Sequence, residues 1–414
     1  MKTLRLIFES FRFALTALRS NLLRTILSLL GVTVGIFSII LVFTVVDSLE
    51  RNVKESLAFL GDNVIYVEKW PWIFGPEYPW WKFVNRPQAS YPEYEFVAEK
   101  VTNAKAVSIM ARRRTTARYG SNSTGGVTLF GVSYEHQDVA DIPVENGRYF
   151  SPLEVQTARN VAVIGANVVE ALFPTTDPLG KELTIKGQRY QVIGVMKRVG
   201  ENLLDGPSND DNIFVPYKAF LKAYYSGRYD GVGSIIAIKG KEGQNMTELL
   251  EEVRGVMRQR RGLRPREEDT FALNQPQMLS DMVSSIFGVI TIVGAVIGSF
   301  AILIGGFGIA NIMFVSVRER TNQIGIQKSL GAKRYFILLQ FLFEAVFLSL
   351  LGGIAGLLLV YPFTFISFGA LDFTLSLSNV VIGLGLAVVI GIISGLMPAW
   401  SAARMDPVTA IRTA

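Results

Sequence analysis

The stretch Gly305–Leu342, GGFGIANIMFVSVRERTNQIGIQKSLGAKRYFILLQFL, joins two apolar runs through a short polar loop. The charged residues of this loop are Arg318, Glu319, Arg320, Lys328, Lys333 and Arg334. Lys and Arg that concentrate in a short loop between two membrane spans place that loop in the cytoplasm. Ile324, Ile326 and Leu330 have the spacing of a short amphipathic helix, and Gly331 is placed to end it. We therefore predict a short cytoplasmic helix between two spans, which suits an element that receives force from a soluble partner.

Four long windows of the chain contain no Asp, Glu, Lys or Arg, at 25–46, 282–317, 345–371 and 373–403. Each window is long enough for a helix to cross a bilayer, which takes roughly 20 apolar residues. The whole chain is only 18% charged, whereas soluble domains carry about 25% charged residues. Buried helices in a large soluble core are the alternative, and they fit these lengths poorly. We therefore predict transmembrane helices at 23–46, 283–316, 337–362 and 379–400.

Basic residues set the orientation of these spans. They lie before the first span and after the last, at Lys2, Arg5, Arg12, Arg19, Arg24, Arg404 and Arg412. The predicted short external loop at 363–378, by contrast, carries only Asp372. Basic flanks favour the cytoplasm, so we predict that the polar loop at 317–336 and the tail at 401–414 are cytoplasmic. The charged region before the first span is too long for a signal peptide, so we expect a retained anchor.

Residues 1–22 have an amphipathic pattern of their own. Apolar residues spaced by four and three share one helical face, at Leu4, Phe8, Phe11, Leu15, Leu18 and Leu22. Arg5, Arg12 and Arg19 share another face. This pattern favours a helix in the inner headgroup layer, with its arginines toward anionic lipid. A helix that packs on its own bundle is the alternative.

Residues 47–282 form a polar insertion that is long enough for one large domain or two small ones. Alternating and short apolar runs predict strands at 63–68, 160–165 and 234–238, and a hairpin of 182–185 with 190–196. Helices are predicted at 167–173 and 246–260. The predicted fold class is therefore an α-helical membrane protein with four transmembrane helices and a large α/β extracytoplasmic domain between helices 1 and 2.

The chain carries few groups suited to catalysis. It has no cysteine and one histidine, which excludes disulfides, a Cys/His zinc site and a thiol nucleophile. His136 lies in a polar stretch and is expected at the surface, as are the carboxylates of 210–211 and 267–269. A phosphate-binding P-loop is also missing, since 179–182 (LGKE) lacks the first glycine and the hydroxyl residue of that motif. We predict no catalytic, cofactor-binding or metal-binding residues, and no ATPase activity.

An aromatic segment, WPWIFGPEYPWWKF at 70–83, contains Trp70, Trp72, Trp80 and Trp81. Its prolines argue against regular secondary structure, so we predict a loop. Exposed tryptophans suit contact with a partner or an apolar cargo, and insertion into the outer headgroup layer or packing on their own domain are the alternatives. The arginines between 254 and 266 are interpreted as a solvated helix end, because nucleic acid is not expected on this side of a membrane.

Glu344 is the one acidic residue well inside an apolar run. Ionisable groups within spans are costly and face the interior of the helix bundle or serve function. We predict that Glu344 faces the bundle or lies near the interface, and that it orients the third span.

The string NIM-x-VSV-x-ER-T-x-x-IGI-x-K-x-x-GA-x-R in the polar loop resembles a motif of the MacB/FtsX family of ABC transporter permeases. Residues 18–35 (LRSNLLRTILSLLGVTVG) are similar to the first transmembrane segment of that family, and 395–412 (GLMPAWSAARMDPVTAIR) to its carboxyl end. Residues 161–195 resemble part of its extracytoplasmic domain. Four matches in the expected order are more specific than one.

The resemblance implies a permease subunit, in a homodimer, that pairs with a separate ABC ATPase subunit, which binds ATP and Mg²⁺. It implies a periplasmic core domain with an inserted subdomain at about 110–215. It also implies that ATPase closure pushes on the polar loop, which drives export from the outer side of the inner membrane, with a periplasmic adaptor and an outer-membrane channel as further partners. The residues that match the coupling motif are Arg318, Glu319, Arg320, Ile324, Gly325, Ile326 and Gly331. An FtsX-like regulator of a cell-wall hydrolase and a lipoprotein-releasing permease are the alternative functions.

Overall fold

The structure is a computed structural model that describes residues 22–57, 60–61, 63–73, 78–140, 142–199, 209–365, 367–368 and 371–412. The predicted interfacial helix at 1–22 lies outside these residues, except for Leu22. The chain divides into two compact units. The membrane unit comprises Met1–Arg51 and Ser284–Ala414, and the external unit comprises Asn52–Val283.

Helices and strands are numbered in chain order. The helices are α1 (Leu22–Leu57), α2 (Trp80–Phe83), α3 (Tyr91–Lys100), α4 (His136–Val139), α5 (Pro152–Gln156), α6 (Ala166–Leu172), α7 (Tyr217–Ala223), α8 (Met246–Arg261), α9 (Pro276–Glu319), α10 (Thr321–Ser329), α11 (Arg334–Val360), α12 (Leu377–Arg404) and α13 (Pro407–Arg412). The strands are β1 (Val64–Glu68), β2 (Ala104–Tyr119), β3 (Asn122–Val132), β4 (Val144–Gly147), β5 (Val161–Ile164), β6 (Glu182–Ile185), β7 (Gln188–Met196), β8 (Asn212–Pro216), β9 (Ser234–Gly240), β10 (Ala272–Asn274), β11 (Ser367–Phe368) and β12 (Leu371–Asp372). The external unit is therefore α/β, as predicted.

Four helices, α1, α9, α11 and α12, are long and apolar enough to cross a membrane. Helices α1, α9 and α12 contain the predicted spans 23–46, 283–316 and 379–400 and extend beyond them at both ends, whereas α11 begins three residues before the predicted span 337–362 and ends two residues short of it. The reason is that a helix does not stop where the apolar run stops: α1 continues through the charged residues Glu50 and Arg51. The predicted external loop at 363–378 contains the end of a 3₁₀ turn (Tyr361–Phe365) and a two-stranded hairpin of β11 with β12.

Small residues allow the membrane helices to approach one another closely. A Cβ placed on Gly305 of α9 would lie 2.8 Å from the backbone nitrogen of Val32 in α1. A Cβ on Gly391 of α12 would lie 2.6 Å from the Cα atom of Val346 in α11. Neither position has room for a side chain, so glycine at these crossings permits the backbone contact on which helix association in lipid depends.

The external unit is built on one ten-stranded sheet in the order β10-β1-β9-β2-β3-β8-β5-β7-β4, with β6 paired to both β2 and β7. Pairing is antiparallel except between β3 and β8 and between β5 and β7. The main core lies under helices α3, α6, α7 and α8. The predicted subdomain boundary at about 110 falls inside β2, and strands β3 to β8 join the same sheet as β1, β9 and β10. The sheet is therefore continuous across this boundary.

Local sequence patterns predicted most elements of the external unit. Strands β1, β5 and β9 and helices α6 and α8 lie within one or two residues of their predicted bounds. The predicted hairpin of β6 with β7 is confirmed. Its turn is shorter than predicted, because Lys186 and Gly187 both take positive φ values, 46° and 80°. Two such residues make the type I′ turn that matches the twist of a hairpin.

Two polar groups that were predicted to be solvated, His136 and Asp210, are buried. His136 is 5% exposed, and its Nδ1 lies 3.1 Å from the hydroxyl of Ser108. Burial lowers the pKa of His136 to about 4. The carboxylate of Asp210 accepts hydrogen bonds from the backbone N–H of Val199, at 3.0 and 3.2 Å. The surface interpretation was wrong because polar neighbours in sequence do not report which elements pack over a residue.

The arginine cluster at the end of α8 is also not simply solvated. The side chain of Arg261 is only 3% exposed, and its Nε lies 2.9 Å from Oε1 of Glu93 in α3. Arg258 pairs with Asp269 at 2.5 Å. These contacts tie the end of α8 to α3 and to the segment that leads into β10, which corrects the predicted solvated helix end.

Candidate functional site

The predicted short cytoplasmic helix is α10, which lies between the end of α9 at Glu319 and the start of α11 at Arg334. The backbone N–H of Arg320 still bonds to the carbonyl of Ser316, at 3.1 Å, so α9 leads directly into α10. Gly331 ends the helix with φ +95°. A left-handed residue at this position favours glycine, so the predicted stop is confirmed.

The two faces of α10 have different surroundings. Ile324 and Gly325 are buried, and Ile324 belongs to the apolar core of the membrane unit. Ile326 is 49% exposed and Leu330, at the end of the helix, is 84% exposed. Successive residues rotate by about 100°, so positions two apart point in nearly opposite directions and positions four apart share a face. The predicted short helix is therefore present, but the three residues from which it was predicted do not share one face: Ile324 faces the bundle, and Ile326 and Leu330 are exposed.

The three charges before α10 also separate. Arg318 and Glu319 are exposed. Arg320 points inward, because its Nη1 lies 3.2 Å from Oε2 of Glu344 in α11. The side chains are 17% and 4% exposed, respectively. Arg320 is therefore committed to the bundle and is not a surface charge. Glu344 faces the bundle, as predicted.

Lys328 fixes the other end of α10. Its ammonium group donates to the carbonyl of Ala403, at 3.0 Å, and to that of Met405. These carbonyls lie at the carboxyl end of α12, where unpaired backbone oxygens and the helix dipole favour a cation. Lys328 therefore joins α10 to the last turn of α12.

The chain continues from α12 into the short helix α13, which packs against α10. Asp406 begins α13, since its Oδ1 accepts the backbone N–H of Val408 at 3.0 Å. Pro407 follows it, so the sequence Asp-Pro is an N-cap with proline at the first helical position. Ala410 is 3% exposed, whereas Val408 is 68% exposed. Like α10, α13 has one buried side and one exposed side.

The exposed sides of α10 and α13 carry the apolar residues Ile326, Leu330 and Val408. The exposed charged residues next to them in sequence are Arg318, Glu319, Lys333, Arg334, Arg404 and Asp406. Basic groups outnumber acidic ones, so the rim is electropositive. Within the residues that the structure describes, no cluster of His, Asp or Glu is arranged to hold a metal ion. An apolar centre with a charged rim is suited to protein docking.

The aromatic segment divides into an anchored part and an exposed part. The backbone N–H of Trp72 donates to Oδ1 of Asn274, and Nδ2 of Asn274 donates to the carbonyl of Trp70, each at 2.9 Å. Trp72 also packs on Tyr66, with ring centroids 5.4 Å apart. These contacts hold the start of the segment against β1 and β10.

The later tryptophans of the segment are exposed. Trp80 and Trp81 begin the one-turn helix α2 and are 57% and 58% exposed. Pro79 is the N-cap residue of this helix. Proline is tolerated at the start of a helix because its missing N–H has no partner there in any case. The prediction of an irregular loop is therefore wrong for Trp80–Phe83. Residues 74–77 lie outside the described residues.

The sequence did not predict the contacts of Lys328 with the end of α12, the pairing of Glu344 with Arg320, or the helix α13. The Asp406-Pro407 pair is a helix-start signal that could have predicted α13. Nothing in the sequence pairs Arg320 with Glu344, because they lie 24 residues apart and on different helices. A further group, Glu68 on β1, was also missed. Burial raises the pKa of Glu68 to about 7, against the opposing effects of Arg112 and of hydrogen bonds from Trp72 and Asn274.

Comparison with known proteins identifies this architecture. Residues 25–256 match the MacB-like periplasmic core domain, and residues 282–407 match the FtsX-like permease C-terminal domain. The macrolide export ATP-binding/permease protein MacB of Wolinella succinogenes is 30% identical over 98% of this chain, which covers 61% of that protein. The chain thus spans about three fifths of the length of the MacB relative.

A second relative has nearly the same length. The uncharacterized ABC transporter permease YknZ of Bacillus subtilis is 28% identical, and the match covers 98% of this chain and 99% of YknZ. The crystal structure of the periplasmic region of MacB from Actinobacillus actinomycetemcomitans aligns with 56% of this chain and 96% of its own, at 17% identity and a TM-score of 0.44. The two domain matches together extend over most of the chain. The chain belongs to the MacB/FtsX family of ABC transporter permeases and is a multi-pass membrane protein with an extracytoplasmic domain.

Proposed function

We propose that this chain is the permease subunit of a MacB-type ABC system in which a separate ATPase subunit binds ATP and Mg²⁺ and drives export. The observation that carries the proposal is the two-sided character of α10. One side is fixed to the membrane helices through Ile324 and Lys328, while the other exposes Ile326 and Leu330. An element with this arrangement receives a push from a soluble partner and passes it to the bundle.

Helix α9 supports the role of force transmitter. It has 44 residues, which corresponds to a length of about 66 Å. This is roughly twice what the hydrocarbon core of a bilayer requires. Because Arg320 is the single residue between the end of α9 and the start of α10, a displacement of α10 acts directly on the end of α9. The substrate is then handled on the outer side and does not pass between the spans.

The surroundings of α9 are consistent with assembly as a homodimer in the inner membrane. Most of its apolar side chains are exposed within a single copy of the chain, among them Val289, Val293, Val296 and Phe300. Lipid or a second copy covers such a face.

For partners on the outer side, such as an adaptor that leads to an outer-membrane channel, Trp80 and Trp81 are the proposed contacts, because two exposed, adjacent tryptophans favour an interface.

The test is co-purification of the ATPase subunit with the permease, together with permease-stimulated ATP hydrolysis. Ile326→Asp places a carboxylate on the exposed face of α10, and we expect it to abolish both. Leu153→Asp is the matched control, since Leu153 is 68% exposed in the external unit and outside the proposed contact. An Ile326→Asp permease that binds and stimulates the ATPase as the wild type does contradicts the proposal.

A further inference from the structure

The exposed side of α13 has no assigned role, although it lies next to the proposed coupling helix. Val408 is 68% exposed on α13, which packs against α10, whose end carries the exposed Leu330. The other side of α13 is closed, since Ala410 is 3% exposed. α13 is therefore seated on the membrane unit by one side and presents an apolar residue on the other.

The seating of α13 depends on the carboxyl end of α12. Lys328 donates to the carbonyls of Ala403, in the last turn of α12, and of Met405, its C-cap residue, shortly before α13 begins. Ala402 and Ala403 belong to the same apolar core as Ile324, and Met405 packs against that core. The contacts of Lys328 and this shared core fix the spatial relation of α10 to α13. A protein that binds the exposed side of α10 therefore lies next to α13, and α13 cannot move independently of α10.

The charges around the exposed sides of α10 and α13 indicate what kind of partner binds there. Arg404, the last residue of α12, is exposed four residues before Val408, and Lys333 and Arg334 are exposed just after Leu330. Asp406 is the one acidic residue in these two segments. An apolar patch with a basic rim is complementary to a protein cleft with an acidic rim. The inner headgroup layer is the alternative neighbour for an apolar patch with a basic rim. The contact of α13 with α10, the helix proposed to meet the ATPase subunit, favours the ATPase as the occupant.

We propose that α10 and α13 form one two-helix docking surface for the ATPase subunit, with Val408 as a contact residue and Lys328 as the residue that positions α13. This inference rests on the proposed function and extends it, because it assigns the ATPase contact to two segments of the chain that are about 80 residues apart. Both segments are cytoplasmic in the predicted topology.

The test is site-specific photocrosslinking in cells, with p-benzoylphenylalanine in place of Val408 or of Ile326 and identification of the captured protein by mass spectrometry. We expect both positions to capture the same subunit, one that carries a P-loop. In a separate measurement, Val408→Asp is expected to weaken the apparent Kd for that subunit by about 5- to 10-fold, the effect of losing one buried valine contact. Leu153→Asp is expected to leave the Kd unchanged.

The outcomes separate the two proposals. Capture of the ATPase at Ile326 but only of lipid, or of nothing, at Val408 overturns the two-helix surface and leaves the proposed function standing. No capture of an ATP-binding subunit at either position overturns both. An unchanged Kd for Val408→Asp also overturns the two-helix surface.

The positioning role of Lys328 has its own readout. Lys328→Met removes the donors to the carbonyls of Ala403 and Met405, so we expect it to reduce crosslinking at Val408 several-fold more than at Ile326. Lys328→Arg, which keeps a cation of similar reach, is expected to restore crosslinking at Val408 in part. Equal crosslinking at Val408 in Lys328→Met and in the wild type overturns this role.

Discussion

Nη1 of Arg320 lies 3.2 Å from Oε2 of Glu344, and this ion pair connects the residue before α10 to the third turn of α11. Glu344 is buried and Arg320 nearly so. A buried ion pair costs desolvation energy, and that cost is offset only while both partners are present. The pair therefore makes the orientation of α10 depend on α11, and it is a sensitive point for mutation.

Loss of one partner should harm the protein more than loss of both. Glu344→Ala leaves the Arg320 guanidinium buried without its carboxylate, and we expect a loss of about 3–5 kcal/mol in the free energy of unfolding. The double variant Arg320→Met/Glu344→Met removes both charges and is expected to recover most of this loss. Thermal unfolding of the purified full chain in detergent measures both effects. A double variant no more stable than Glu344→Ala would contradict the prediction.

Reversal of the exposed charge beside this pair should act on binding and not on folding. Glu319 is exposed, and exposed ion pairs contribute only about 0.2–1 kcal/mol. We therefore expect Glu319→Lys to leave the unfolding temperature unchanged and to weaken ATPase binding less than Ile326→Asp does. Titration of the ATPase subunit against each variant gives the comparison. If Glu319→Lys abolishes binding while Ile326→Asp does not, charge and not apolar contact governs the docking.

The predicted orientation is open to a direct chemical test, because the chain has no native cysteine. Ser329 at the end of α10 and Ser121 between β2 and β3 are both exposed. A membrane-impermeant maleimide should label Ser121→Cys in cells whose inner membrane is intact, and Ser329→Cys only after that membrane is permeabilised. We expect this result because Lys and Arg in a short loop between spans indicate the cytoplasmic side of the membrane. Labelling of Ser329→Cys in cells with an intact inner membrane would contradict the predicted topology, because it would place the polar loop outside the cytoplasm.

Patterns along the chain predicted the local structure but not the contacts between distant segments. Charge-free windows predicted the four long helices, since a helix in lipid needs an apolar run of sufficient length. The positive φ of Gly331 was likewise predictable, because the stop signal is local. The outward direction of Ile326 was not, since spacing alone does not determine which side of a helix meets the bundle. Lys328 was read as an orientation signal, and its bond to the carbonyl of Ala403 depends on tertiary packing.

The raised pKa of Glu68 leads us to predict that the external unit loses stability as the pH rises. Burial raises its pKa to about 7, whereas an unfolded glutamate titrates near 4.3. Between these two pH values the folded state holds a proton that the unfolded state has released. Stability therefore falls as the pH rises through this window, and the deficit is complete above the folded pKa.

Replacement of Glu68 by its neutral isostere should remove this deficit. We expect Glu68→Gln to be more stable than the wild type at pH 8, by about 1–3 kcal/mol, and equally stable at pH 4, where both side chains are neutral. Thermal unfolding of the full chain in detergent, followed by tryptophan fluorescence at several pH values, measures the difference. Glu95→Gln is the control, because Glu95 is exposed on α3 and should show no such change. A Glu68→Gln variant that gains nothing between pH 4 and pH 8 would show that Glu68 is already ionised in the folded protein, stabilised by Arg112 and by its hydrogen bonds with Trp72 and Asn274.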